Sequence, residues 1–152
     1  MDIYLLLFLV FVVAPISMVI HESGHLIGAK TMRADHITLS IGLGKMIGSL
    51  SFKKIHIKFH TVFFLGGLLK SERTPTYKPL EIIWVTICGL LSSGLFTILF
   101  YLLYNIYTNY YIQLLFLFNG WLFIVNTIPF KIKGKQSDGY MIYKIILQII
   151  QK

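Results

Sequence analysis

Between Ile3 and Ile20 the chain has no charged residue, and the run ends directly on His21-Glu22-Ser23-Gly24-His25. Its 18 residues lie near the lower edge of the roughly 17–25 needed to cross a bilayer as a helix. Pro15 falls inside the run and is expected to kink it. A cleaved signal peptide would carry a basic start and a small-residue cleavage site after a shorter apolar core. Here the early charge is Asp2, and cleavage would part the polar motif from its helix. The segment is therefore read as retained and transmembrane.

The remaining composition agrees. Hydrophobic residues make up 56% of the 152 residues and charged ones 13%, against roughly 25% charged in soluble domains. The formal net charge of +8 comes from 14 Lys and Arg against 6 Asp and Glu. These cations sit between apolar runs, as the positive-inside bias and contact with anionic lipid require. No soluble scaffold alternates aromatic and basic residues, so nucleic acid is excluded as a partner. The lone Cys88 rules out an intrachain disulfide and a cysteine metal site.

These features predict an all-α polytopic membrane protein with a small membrane-associated β-sheet. Three core transmembrane helices are expected at about residues 3–27, 82–103 and 112–129, with a short C-terminal helix at 138–151. Residues 37–67 form the surface β region. There Ile55-His56-Ile57-Lys58-Phe59-His60 alternates at period two. Gly42, Gly44, Gly48 and Gly66-Gly67 punctuate it. Nine Lys and Arg between residues 30 and 80 face only Asp35 and Glu72, which assigns that side to the cytoplasm. The small residues Gly89, Ser92, Ser93 and Gly94 let a neighbouring helix approach closely. Ser137 is a natural N-cap for the last helix.

His21 and His25, four apart, share a helix face and can bind one metal ion. Glu22 is placed to act as base for a metal-bound water. A catalytic zinc takes three protein ligands, so one more is needed. His36, His56 and His60 lie in the β region and read as surface strand residues. Glu72 and Glu81 read as solvated or interface charges beside the Ser71–Pro79 connector, and Asp2 is at the opposite membrane face. Asp138 follows the third crossing, returns to the face of the His motif and opens a helix. It is the distal acid best placed to join the two histidines. A polar cap on the first helix is the plainer reading of the motif, but a carboxylate there is costly without a role.

The chain resembles the site-2 protease family, zinc metalloproteases that cut within membranes. The resemblance lies in His21-Glu22-x-x-His25, in Ser40-Ile41-Gly42-Leu43-Gly44 with Phe64-Leu65-Gly66-Gly67, and in Asn126-Thr127-Ile128-Pro129 followed by Asp138-Gly139. It covers about residues 10 to 145. It implies Zn²⁺ held by His21, His25 and Asp138, Glu22 as catalytic base, and Asn126 holding substrate or the oxyanion. Gly89 matches the glycine of the family's Gly-x-x-x-Asn element, whereas Ser93 stands where asparagine is common.

The expected function is an intramembrane zinc endopeptidase cutting single-pass membrane proteins or hydrophobic peptides in or near their transmembrane segments. It would sit multi-pass in the cell membrane among lipid, with its site toward the cytoplasm. The alternative is a non-catalytic membrane module of the same fold that sequesters a peptide or protein partner. Keeping Glu22 argues against that alternative, because a structural zinc site needs no base. A metal transporter would spread ligands along a crossing path, whereas these gather at one face.

Overall fold

The structure, a computed structural model, describes residues 2–132 and 134–151. Helix α1 (Ile3–Phe8), a π-helical turn (Leu9–Val13) and α2 (Ala14–Thr31) run on as one helix, Ile3–Thr31. The wide turn lies just before Pro15. Proline has no N–H to return to the carbonyl four residues back, and its ring crowds that carbonyl. Ala14 N–H instead reaches Leu9 C=O, five residues back, so the expected kink is taken up by one wide turn. Helices α3 (Pro79–Ile106) and α4 (Tyr110–Thr127) follow. All three helical stretches are long and apolar enough to cross a membrane. The last helix, α5 (Asp138–Ile150), has 13 residues, about 20 Å of length, which is short of a bilayer core.

The helices expose many apolar side chains and bury several polar ones beside Val13, Leu90 and Leu122. Leu91, Leu95, Ile98 and Leu102 of α3 are exposed, whereas Ser17, Thr86, Ser93 and Asn119 are buried among the helices. Asn119 of α4, fully buried, donates to Ser17 Oγ of α2 at 2.8 Å and to Leu115 C=O at 2.8 Å. Ser92 of α3 donates to Ile20 C=O at 2.8 Å. The helices come this close because small residues face each other. A Cβ on Gly24 would strike the Cys88 carbonyl and Ser92 Cβ, and one on Gly28 would press on Val85 and Cys88. Gly89 and Ser92 were expected to permit such an approach. Gly24 and Gly28 complete the contact from the α2 side.

Strands account for 26% of the chain and helix for 59%, so an all-α class is too narrow and the fold is mixed. Strands β1 (His36–Phe52) and β2 (Ile55–Glu72) are much longer than the short strands of a surface hairpin. Both bend, and their pairing yields four ribbon segments. Residues 46–52 pair with 55–60, residues 55–59 run alongside 37–41, and 36–41 pair with 67–72. The bends fall at Gly42 (φ 88°) and Gly44 (φ 94°) in β1 and Gly66 (φ 81°) in β2, where side chains other than glycine would be strained. Segment 67–72 is thereby an outer edge, with no strand paired beyond it among the described residues. Phe63 and Phe64 of β2 pack on Phe11, with ring centroids 6.4 and 5.1 Å away, so the ribbon reaches well along the first helix. A second hairpin, β3 (Lys131–Ile132) with β4 (Lys135–Gln136), precedes α5.

The connector is clamped. Arg73 donates to both Glu81 carboxylate oxygens, at 3.1 and 2.6 Å, and to Met32 C=O at 2.9 Å. Glu81 also accepts Lys78 N–H at 2.6 Å. It is thus a paired cap of α3, not the solvated charge the sequence suggested. The neighbouring Asp35 accepts Thr74 N–H at 2.8 Å, which holds its carboxyl below the usual range, helped by Lys54.

The α2–α3 contact gives a direct test. Gly24→Ala should cost about 1–3 kcal/mol, the usual penalty for overpacking, read as a lower Tm of the detergent-purified protein. Gly48, whose Cβ would meet nothing within 4 Å, should tolerate alanine with little change in Tm.

Candidate metal centre

His21 and His25 project from the last turns of α2, one turn apart, with ring centroids 4.8 Å apart. Asp138 opens α5 and meets both. Its Oδ2 lies 3.2 Å from His21 Nε2 and 3.3 Å from His25 Nε2, and the two Nε2 atoms are 3.2 Å apart. Ligands bound at about 2.0–2.1 Å in a tetrahedron stand about 3.3–3.4 Å from one another. The three separations match the edges of such a figure.

The outer ring nitrogens fix which atoms face inward. His25 Nδ1–H donates to Val85 C=O at 2.9 Å. His21 Nδ1 lies 2.9 Å from Ser93 Oγ, fully buried in α3. With Nδ1 as donor on each ring, both Nε2 atoms turn lone pairs toward the Asp138 oxygen, the pattern of metal-bound histidines. Asp138 Oδ2 is buried and has no hydrogen-bond donor of its own. A carboxylate oxygen and two imidazole nitrogens this close together form a donor set that fits a divalent metal. Among the described residues the three form a group able to hold one ion.

Long-range positioning depends on small contacts. Ser137 Oγ accepts Tyr140 N–H and Phe130 N–H at 3.1 Å each and donates to Ile128 C=O at 2.7 Å. It thus caps α5, as expected, and also ties that cap to the turn after α4. A Cβ on Gly139 would collide with the Thr127 carbonyl, so glycine lets the start of α5 press against the end of α4. On α3, a Cβ on Gly89 would overlap the His25 ring.

Glu22, Asn126 and the three metal-binding side chains line one cavity of about 300 Å³, together with Gly67–Leu69 and Gln136. Gly67 faces Glu22 so closely that a Cβ there would lie 2.9 Å from Glu22 Cγ. Asn126 donates to Leu122 C=O at 3.0 Å within its own helix. His56 bonds with Ser51 at 2.9 Å, and His60 Nδ1 lies 3.3 Å from Ile41 C=O; both remain in the ribbon. His36 also stays there, paired across from Glu72 at the start of β1. Ser93 is the residue whose work the sequence least disclosed. It stands behind His21 and not at the open cavity. Gln136 and the edge 67–69 were also missed as site walls, because the short β3–β4 hairpin has no periodic signal.

No protein-family model matches the chain, and no curated protein matches it in sequence.

Asp138→Ala should lower the protein's capacity for a divalent metal, measured by metal content after purification. Ser93→Ala should weaken divalent-metal affinity by about 10–100-fold, the usual cost of losing an outer-shell partner. The folded state should persist, read as unchanged helical circular dichroism.

Proposed function

We propose that this chain is an intramembrane zinc endopeptidase of the site-2 protease type. One observation carries the reading: Glu22 shares a small cavity with a tetrahedrally spaced His21–His25–Asp138 set and an unpaired strand edge. A purely structural metal site has no use for that carboxylate. Bound zinc would supply Lewis acidity, polarising a peptide carbonyl and acidifying a water.

The chain's own residues do the rest. Glu22 accepts the proton from the attacking water and delivers it to the leaving amine nitrogen. Asn126, on the wall of the same cavity, turns its amide toward the carbonyl oxygen as charge develops there. A substrate helix hides its peptide groups in its own hydrogen bonds and must be extended before it is cut. Edge 67–71 of β2 has no strand paired beyond it among the described residues, so an extended segment can add there as one more strand, with Leu69 N–H directed at Glu22. Gln136 of β4 borders the cavity as well. The substrates are single-pass membrane proteins or hydrophobic peptides.

The proposed placement is multi-pass in the cell membrane, with the site toward the cytoplasm. The basic residues of 30–80 and Lys131 and Lys135 flank the helix ends that carry the motif, as the positive-inside bias requires. His21 lies about 27 Å along the helix from Ile3 at 1.5 Å per residue, close to the far boundary of the bilayer core, where water can reach it.

Glu22→Gln is the discriminating variant. It should keep its zinc and lose cleavage by about 10²–10⁴-fold, the usual weight of a general base. Membrane-fraction proteomics of cells carrying parent or variant should show uncut substrates accumulating only with the variant. Equal processing by both would sink the peptidase reading and leave a sequestering role.

A further inference from the structure

A second cavity, of about 590 Å³, lies away from the metal centre, between the end of α2 and the turn joining β1 to β2. Lys30, Arg33, Lys53 and Lys54 line it, with Phe52 and Ile55 on its apolar wall, and no carboxylate is among its lining residues. Lys54 has Asp35 at 3.5 Å. Lys30, Arg33 and Lys53 have no acidic partner within 4 Å among the described residues.

Two of these cations sit at chain reversals. Among the described residues, two non-glycine positions have positive φ, Arg33 at 58° and Lys53 at 52°. Both are cations of this cavity. Arg33 follows the C-cap of α2 and Lys53 lies in the two-residue turn between β1 and β2, so chain reversal sets both. Each turn is also pinned. Ala34 N–H returns to Ala29 C=O at 3.0 Å and closes the helix end, while Ile37 N–H binds Lys54 C=O at 2.8 Å. The helix-end carbonyl is thus satisfied by backbone, and Lys53 Nζ lies over the Phe52 ring at 5.7 Å, which leaves Lys30 and Arg33 to meet an outside anion.

The surroundings suit an amphiphile. Trp84 Nε1 donates to Thr31 Oγ1 at 2.9 Å, and tryptophan favours the headgroup level of a bilayer. Ile27, 58% exposed, precedes Lys30 by one helical turn on the same face. We propose that this cavity binds the phosphate headgroup of an anionic membrane lipid, its acyl chain running along Ile27. The proposal rests on Ile3–Thr31 crossing a membrane and not on peptidase chemistry.

The test uses the full-length protein in neutral detergent, titrated with phosphatidylglycerol, phosphatidylcholine or inorganic phosphate and followed by native mass spectrometry. Phosphatidylglycerol should occupy one site in preference to phosphatidylcholine. The variant R33G should bind it about fivefold more weakly, the weight of one lost cation. Glycine suits that backbone position, so this variant should melt no lower than the parent. If its Tm nevertheless falls, Lys30→Gln on the exposed helix surface serves instead, with about a fivefold loss expected. Equal binding of the two lipids, or parental phosphatidylglycerol affinity in the folded variants, would overturn the proposal. Displacement of the lipid by equimolar inorganic phosphate would also overturn it and assign the cavity to a free anion.

Discussion

The rest of the structure depends on α2 and α3 meeting with almost no side chain between their backbones. Gly24 lies against the Cys88 carbonyl, Gly28 against Val85, and Gly89 beneath the His25 ring. Such proximity puts acceptors from α3 within reach of ring nitrogens on α2. Val85 C=O takes His25 Nδ1–H and Ser93 Oγ meets His21 Nδ1. A bulkier contact would separate the helices and leave both imidazoles free to turn. The orientation of the two imidazoles is a consequence of backbone packing before it is a property of the rings themselves.

The third ligand arrives from a different part of the chain and needs its own support. Asp138 follows a two-stranded hairpin and begins a short helix, neither of which is large enough to fix it alone. Ser137 joins three backbone groups on either side of the hairpin, and Gly139 lets α5 seat against Thr127. These neighbours on both sides of Asp138 convert a flexible connection into a fixed one. The ribbon closes the remaining side, with Gly67 pressed on Glu22.

What could be read in advance follows the range of the interaction. The long apolar runs, the i, i+4 histidines and the Ser137 cap are local patterns, and each was legible; Asp138 was reached only by counting crossings and by the resemblance. The glycines of the β region were legible as interruptions. The sign of φ at Gly42, Gly44 and Gly66, which folds two strands into four segments, depends on which stretches pair across the ribbon. Ser93 looked like a departure from a motif because its partner, His21, is 72 residues away. Arg73 and Glu81 looked like independent charges because the connector that joins them shows no periodicity. The expected helix boundaries were short by a few residues at several ends, since polar terminal turns such as Lys30–Thr31 remain helical beyond the apolar run.

The wide turn at Leu9–Val13 has a consequence for phase. Each residue advances an α-helix by about 100°, and a π turn absorbs one additional residue while helical bonding continues on both sides. Phe8, edge-on to Tyr111 at 4.7 Å, and His21, facing Ser93, are therefore locked in rotational register by that surplus residue. A chain lacking one residue here could close the turn to ordinary α geometry and leave the metal-binding half in place. The turn thus marks the one point, among the described residues of this helix, where a residue more or less would leave the faces of both halves unchanged.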